Sequence, residues 1–535
     1  MKRTSTIFAL AVIVSTAHAY ETLQGATELR TWNKEKAYNG YTLFAAHGTA
    51  LLIDMEGNLV KTWRIGTNPR FLDNGHLLDA TRDDPSGFQG FQEVDWDGNV
   101  VWKYREKREG YHPHHDFVRI FNKKLNAPTT LYIAGKTITQ EQAIAAGCEL
   151  SKDRPGRRRG RGGDRRGGKG GGKGGPRRPD MGFAQVDAIV EVDMKGNVVW
   201  EWWFFDHVVQ DVDPDKPNYV GKGKTIADHP GKLNLNLPGR PVRGDWLHCN
   251  SLDYNAELDQ IVINSVQGEF YVIDHGRTFV PGDPKKSVAL AAGPAGDFIY
   301  RFGDPARYGQ GDPPSILEDW TKATSGHKQI GGSHDVQWIR PGLPGAGHFL
   351  IFNNAQYLFE RTPQSYIVEI DGFRHVDGKS VSRYVNPPDA SYYKLEFDHD
   401  THKEPRNMSN QVVWMYYSKS NQGFFSHIGS GAQRLPNGNT LICADTEGHI
   451  FEVTAEGELV WEYVNPVTRE GVVKILRDSL PMTNAVFRAY RYGPDHPALK
   501  GRDLTPKGPI TENPSLVSRR RGGQRGAGRK ARRRQ

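Results

Sequence analysis

Apolar positions recur with a period of two along most of this chain, in short runs separated by polar turns that carry glycine. That period belongs to strands, because successive side chains on a strand point to opposite faces. One phrase returns four times: LLIDMEGNLVKTW at 51–63, QEVDWDGNVVWKY at 92–104, IVEVDMKGNVVWEWW at 189–203 and IFEVTAEGELVWEY at 450–463. Its Asp-x-x-Gly-Asn centre predicts a tight hairpin, since Gly and Asn tolerate the positive φ such a turn needs. Weaker copies are FYVIDHG at 270–276, leading to GDFIYRFGDP at 296–305, and YIVEIDG at 366–372, followed by VSRYVNPP.

A second hairpin phrase precedes the first in most units. It reads NPRFLDNGHLLDA at 68–80, HDFVRI then TLYIAG at 115–135, NSLDYNAELDQIVINS at 250–265, HDVQWI then GHFLIFNN at 334–354, and GAQRLPNGNTLICA at 431–444. Two hairpins per unit make four strands, and about six such units describe a propeller better than a sandwich. The expected fold is therefore all-β, a six-bladed β-propeller with four-stranded blades spanning residues 20–500. Helical periodicity is scarce, with Glu141–Ala146 and Val472–Asp478 as the main candidates.

Residues 1–19, MKRTSTIFALAVIVSTAHA, place Lys2 and Arg3 before an apolar run and end in an Ala-x-Ala arrangement. This predicts a secretory signal cleaved before Tyr20, hence a secreted or periplasmic protein. The apolar run is too short to span a bilayer, and no later segment is apolar enough to do so.

The formal net charge of +8 suggests a polyanion binder until its distribution is considered. Residues 151–180 hold twelve Lys/Arg against three Asp, a net of +9, and residues 519–535 hold nine Lys/Arg and no acid, again +9. Subtracting both from +8 leaves −10 for the remainder, so the predicted body is acidic. The Gly/Arg-rich insertion at 151–180 and a basic tail at 501–535 are expected to be disordered arms, able to make loose contacts with a polyanion. They carry no aromatic platforms for bases. Three cysteines, Cys148, Cys249 and Cys443, cannot all pair within one chain and match no zinc or haem spacing, and an exported context leaves room for one disulfide.

Histidines stand at the heads of the predicted inner strands: His114 and His115 in YHPHHDFVRI, His248 in DWLHCNSLDYN, His334 in GGSHDVQWI and His427 in FFSHIGSGAQRLPNG. In a propeller such positions converge on one central funnel. Converging imidazoles suit either metal binding or nucleophilic catalysis in which one ring forms a covalent intermediate. The constellation lacks a clear carboxylate, which suits capture of an anionic group. Asn250 and Gln337 lie close to these histidines and are candidates to orient them or to touch a ligand.

The phrases GYTLFAA, ALLIDMEGNLVKTW, DWLHCNSLDYN, GGSHDVQWI, PGAGHFLIFNN and SGAQRLPNGNTLICADTEGHIFEVTAEGELVWEYVNP resemble the arylsulfotransferase (aryl-sulfate sulfotransferase) family. The likeness runs from about Tyr41 to Pro466, leaving out the basic insertion. It implies a six-bladed propeller that moves a sulfuryl group from a phenolic sulfate ester to a phenol through a sulfated histidine, without a nucleotide donor and without a cofactor or metal. It further implies that His427 is the nucleophile, that His248 and His334 act beside it, and that Arg361 in NNAQYLFERTPQSYIVEID holds the sulfuryl oxygens. His114, His115 and Asn250 are then expected to contact substrate. The rival expectation is a propeller without catalytic activity that binds a ligand or partner at its funnel, and a third is a metal-dependent hydrolase.

Overall fold

The computed structural model describes residues 26–517 apart from 82–87, 150–182, 238–240, 315–325, 355–363, 373–374, 377–378, 381–383, 385–408, 419–424 and 477–482. The signal segment, the insertion at 151–180, the tail from 518 and Arg361 lie outside the described residues.

Six antiparallel sheets make six propeller blades, each numbered here from the N-terminus. Blade 1 holds Tyr41–Ala46, Thr49–Ile53 and Leu59–Trp63, and its innermost strand is Ala489–Tyr492 from the far end of the chain. Blade 2 runs outward through Arg70–Phe71, Leu77–Ala80, Gly90–Val94 and Val100–Arg105. Blade 3 is Tyr111–Asn122, Ala127–Ile138, Ala184–Asp193 and Val198–Trp203. Blade 4 is Cys249–Asn255, Gln260–Ser265, Glu269–Asp274 and Tyr300–Phe302. Blade 5 is His334–Trp338, Phe349–Asn353, Tyr366–Ile370 and Val412–Tyr416. Blade 6 is Gly431–Arg434, Thr440–Ala444, His449–Val453 and Leu459–Val464, with Glu28–Trp32 added as a fifth strand on its outer edge.

The ring closes because both chain ends contribute to neighbouring blades. Closure leaves no long unpaired inner edge. The middle strands show why the fold holds: Thr49–Ile53, Gly90–Val94, Phe349–Asn353 and His449–Val453 are buried at every position, since each blade is packed by a neighbour on both faces.

The recurring hairpin phrase has two physical jobs. In its turn the Asp carboxylate accepts from the backbone N–H of the Asn four residues on, at 2.8 Å in Asp54–Asn58, Asp95–Asn99 and Asp193–Asn197. Gly57, Gly98 and Gly196 take φ near 80–90°, which a side chain would resist. In its second strand the Trp reaches the next blade. Trp63 Nε1 donates to the Trp96 carbonyl (2.9 Å), Trp102 to Met194 (2.8 Å), Trp414 to Ala455 (2.7 Å) and Trp461 to Met55 (2.9 Å). Each acceptor is the residue after the first position of the neighbouring blade's turn. At the remaining two boundaries Trp200 donates to Thr278 Oγ1 (3.0 Å) and Tyr300 to Gln411 Oε1 (2.7 Å). Every blade boundary thus carries at least one aromatic hydrogen bond, and that between blades 3 and 4 a second, from Trp202 to the Gly296 carbonyl.

Several expectations are corrected. The fourth strand of blade 5 is Val412–Tyr416, whose VVWMY repeats the VVW of blades 2 and 3; the VSRYVNPP segment at 381–388 lies outside the described residues apart from Tyr384. The helix expected near Glu141–Ala146 is present as Gln140–Ala145, capped by Thr139. At Val472–Asp478 the described part is instead the short strand Gly471–Val472 followed by residues 473–476 without regular structure, in which the Ile475 carbonyl accepts from the Thr27 backbone N–H and the Ile475 N–H donates to the Thr27 hydroxyl. Residues 501–517, expected to belong to the basic tail, pack on blades 1 and 6: the Leu59 N–H donates to the Gly508 carbonyl, and Ile510 and Val517 are buried. These apolar residues give that stretch something to bury, unlike the Arg/Gly run beyond it. The three cysteines are all buried and free, so none of them forms a disulfide. No helix among the described residues is long and apolar enough to cross a membrane.

Candidate active site at the propeller axis

The inner strands of blades 3, 4 and 5 are irregular near their starts. His115 (φ 55°), His248 (φ 50°) and Asp335 (φ 57°) adopt the left-handed conformation, and the ladder to the next strand slips beside each of them. A bulge of this kind re-aims side chains, and the strain it stores is characteristic of functional positions. Here it turns the strand heads toward the axis.

Four of the predicted histidines meet there. The rings of His114 and His115 lie 5.0 Å apart and those of His115 and His248 4.7 Å apart, both edge to face. His334 and Arg488 act on the same His115 ring electrostatically. The cluster opens to solvent through His248, 37% exposed, and His114, 22% exposed, whereas the His334 ring is only 3% exposed.

Each ring has a partner that fixes its protons. His114 Nε2 donates to Asp187 Oδ1 at 2.9 Å, so its Nδ1 is free to accept from His115 Nδ1–H at 2.8 Å; that leaves the lone pair of His115 on Nε2. Asp187 also accepts from the Cys249 backbone N–H (2.9 Å), which ties blade 3 to the start of blade 4. His248 Nδ1 donates to Asp245 Oδ2 at 2.5 Å. Asn354 spends its amide N–H groups on the carbonyls of Ser426 (2.7 Å) and Gly429 (3.3 Å); its oxygen therefore faces His334 Nδ1 at 2.8 Å, which must be the donor. In the neutral ring the lone pair of His334 is then on Nε2.

These settings divide the rings by charge. The hydrogen bond to Asp245 raises the His248 pKa above the ordinary imidazole value. Burial, reinforced by the Arg488 cation and by His248, lowers His334 to about 4. Burial also lowers His115 well below the ordinary value, helped by His114, His248, His334 and Arg488. Near neutral pH the site thus holds one imidazole biased toward the cation and two that stay neutral. Behind the 426–430 loop, burial pushes Asp445 up to about 7 and Glu447 up to about 8, which reduces the negative charge opposing an anionic ligand.

Beneath the rings the axis is filled by an ionic network. Asp116 Oδ2 accepts from Arg488 Nη1 (2.9 Å) and from the Leu252 backbone N–H (3.2 Å), and its other oxygen pairs with Arg70. Ser251 Oγ accepts from the Val336 N–H (3.0 Å), and Asp335 Oδ2 from the Ala432 N–H (3.1 Å). Each of these residues therefore occupies the same slot in its blade, bonding to the next. The slot holds Asp116, Ser251 and Asp335 in blades 3 to 5 and Gly431 in blade 6, where a Cβ would stand 2.3 Å from Asp335 Oδ2.

This registry revises the expectation that one histidine recurs at an equivalent position. His115 and His334 share a slot. Blade 4 puts Asn250 there, with His248 two residues earlier, and blade 6 puts Ser430 there, with His427 three residues earlier. Asn250 is fully buried, its Nδ2 donating to the Ser333 carbonyl (2.8 Å) and its Oδ1 accepting from Asn264 (2.8 Å) and Ser251 (3.3 Å), so its amide is engaged within the protein. Gln337 donates to the Ala432 carbonyl (2.6 Å). His427 sits exposed on the loop whose neighbouring carbonyls hold Asn354, with its ring 6.5 Å from that of Phe425. Cys249 is buried, and burial raises its thiol well above the ordinary value, which leaves no thiolate nucleophile. Among the described residues no group of three or more His, Cys, Asp or Glu is arranged to hold a metal ion.

Four site residues escaped sequence reading. Asp187, Asp245, Asn354 and Arg488 lie on four separate segments, and only Asp245, three residues before His248, was close enough for spacing to suggest it.

Solved structures similar to this chain share little sequence with it. A protein of unknown function from Bacteroides caccae is 10% identical, covering 85% of this chain and 98% of that one, with a TM-score of 0.36. The WD40 domain of Toxoplasma gondii coronin is 7% identical, covering 90% and 87%, with a TM-score of 0.31. The β-propeller domain of Cps50 (Swd1) from Myceliophteria thermophila is 9% identical, covering 82% and 96%, with a TM-score of 0.30. No curated protein matches the chain. The sequence profile described as Arylsulfotransferase (ASST) matches residues 180–488, a span that takes in blades 4 to 6 together with His248, His334, His427 and Arg488. With that profile covering more than half of a six-bladed propeller, the chain belongs to the arylsulfotransferase family.

Proposed function

We propose that the protein transfers a sulfuryl group from a phenolic sulfate ester to a phenol through a sulfohistidine formed at the axis, with no nucleotide donor. The observation that carries this reading is the gathering of neutral and proton-bearing imidazoles from three blades, each with its tautomer fixed by a partner. His334 is assigned the attack. Its Nε2 lone pair bonds to sulfur as the S–O(aryl) bond breaks, and the departing phenolate takes a proton from the His248 imidazolium, which Asp245 steadies. A phenol then returns a proton to His248, its oxygen attacks sulfur, and the N–S bond breaks to release the new ester. His114 and His115 line the bound sulfuryl group, and Arg361 is assigned to its oxygens, where a planar guanidinium matches two of them. The sequence pointed to His427 as nucleophile; its ring is exposed, and His427 is kept as the second choice.

Brief exposure to p-nitrophenyl sulfate followed by mass analysis should find a sulfuryl adduct on His334, and added phenol should accelerate p-nitrophenol release. Turnover should fall below pH about 4, where His334 gains a proton, and again above the raised pKa of His248. A rate indifferent to phenol, with no histidine adduct, removes the ping-pong reading and leaves a ligand-binding propeller. An adduct on His427 keeps the chemistry and moves the nucleophile.

A further inference from the structure

Arg488 occupies an unusual place. It immediately precedes Ala489–Tyr492, the strand that returns from the end of the chain to close blade 1, yet its side chain touches blades 3, 4 and 5. Nη1 donates to Asp116 Oδ2 at 2.9 Å, Nη2 donates to the Asn250 carbonyl at 3.2 Å, and Nε lies 3.2 Å from Asp335 Oδ1, an ion-pair separation. Asp116 follows His115, Asp335 follows His334, and Asn250 lies two residues after His248. One buried guanidinium therefore reaches the three strand heads that carry the site's histidines.

We infer that Arg488 is a positioning residue that sets the spacing of His115, His248 and His334, so that the site is assembled by the same strand that closes the ring. This rests on the sulfuryl-transfer reading only for what the site does, not for how it is held. Arg488 does not itself meet substrate. Its two carboxylate partners and a carbonyl occupy the fork, and it is buried among them. Arg70 pairs with Asp116 as well, so the quartet of Arg70, Arg488, Asp116 and Asp335 balances its charges within the axis. A planar fork bonds in three fixed directions, which an ammonium on a flexible stem does not reproduce. The bulged, left-handed strand heads are the part of each blade most in need of such an external restraint.

The test compares Arg488→Lys and Arg488→Gln in the full chain by NMR titration of the imidazoles and by kinetics. The charged groups facing His115 are His114, His248, His334 and Arg488, and those facing His334 are Arg488 and His248. In Arg488→Gln the titrations of His115 and His334 should move upward while that of His496, packed on Tyr492 of blade 1, stays in place. Arg488→Lys should restore those titrations in large part, yet leave kcat down about a hundredfold with KM little changed, the size of effect expected when reacting groups shift by about an ångström. Unmoved titrations in folded Arg488→Gln overturn the inference whether or not the protein is active, and full kcat in Arg488→Lys overturns it too. Should both variants fail to fold, the intact protein decides. Amide exchange at 489–492 and the distinctive His115 and His334 titrations should be lost at the same urea concentration, and histidine titrations that outlast the closing strand overturn it.

Discussion

At the rim of the propeller one contact is made six times: an outer-strand Trp or Tyr hydrogen-bonds across each blade boundary, four times to the same turn position. At the axis the corresponding slots of blades 3 to 6 hold Asp116, Ser251, Asp335 and Gly431, and the slots beside them His115, Asn250, His334 and Ser430. The rim is built by repetition because every boundary poses the same packing problem. The axis cannot be, because six identical side chains meeting at one point would crowd or repel each other, whereas a mixed set pairs acids with bases and still leaves imidazoles to spare. Repetition thus marks what makes the fold, and departure from it marks what the fold is used for.

The sharpest way to break that contrast is to exchange the effects. His334→Ala or His248→Ala should lower sulfuryl transfer by about a hundredfold to ten-thousandfold, the range for a lost proton-transfer or nucleophilic group, while the melting temperature moves little. A variant that melts many degrees lower yet keeps its turnover would place these rings among the fold's supports instead. Measuring both quantities on the same preparation separates the two outcomes.

A smaller effect lies at one of the ionic blade boundaries. Between blades 3 and 4 His275 is buried, donating to Asp259 Oδ1 (2.6 Å) and Glu191 Oε2 (2.9 Å) and packing edge to face against Trp200. These carboxylates outweigh the cost of burial and raise its pKa to about 9. A raised folded-state pKa means the contribution is complete below the ordinary imidazole value of about 6.5 and is lost as pH climbs through about 9. The loss should be on the order of 3 kcal/mol in urea unfolding between pH 6 and 9.5. His275→Gln should be less stable at pH 6 and show a flatter dependence; an unchanged slope would mean another group titrates there.

The sequence made the rim legible for the reason just given. Asp-x-x-Gly-Asn and Val-x-Trp recur because each blade needs a tight turn and a reach to its neighbour, so counting phrases counts blades. Where a blade modified the phrase, legibility fell: blade 5 delays its VVW to 412–414, and blade 4 replaces Trp with Tyr300. At the axis only the histidines stood out, since imidazole is chemically conspicuous at a strand head. Their partners did not, because Asp187, Asn354 and Arg488 come from other strands and loops and are joined to the histidines by bulges and ring closure, neither of which leaves a periodic trace. Asn250 shows the complementary case: an amide beside a histidine looks like a ligand contact, and at this buried blade boundary its hydrogen bonds go to the backbone and to Asn264.

The smallest effects test whether the six rim contacts are equal in energy as well as in form. Trp461→Phe keeps an aromatic ring against Tyr463 and under Arg491 but removes the donor to Met55, leaving a buried carbonyl unpaired at the boundary where the ring closes. A hydrogen bond of this kind contributes about 1 kcal/mol, with somewhat more lost when the abandoned partner stays buried. Trp414→Phe removes the matching contact to Ala455 at an exposed boundary, where water can replace the donor, so its cost should be below about 0.5 kcal/mol. Denaturant midpoints for the two variants at equal slope would rank them. Equal losses would mean that solvent access does not grade the boundaries, whereas a larger loss at Trp461, with sulfuryl transfer intact in both, would show that the rim holds the ring while leaving the chemistry to the axis.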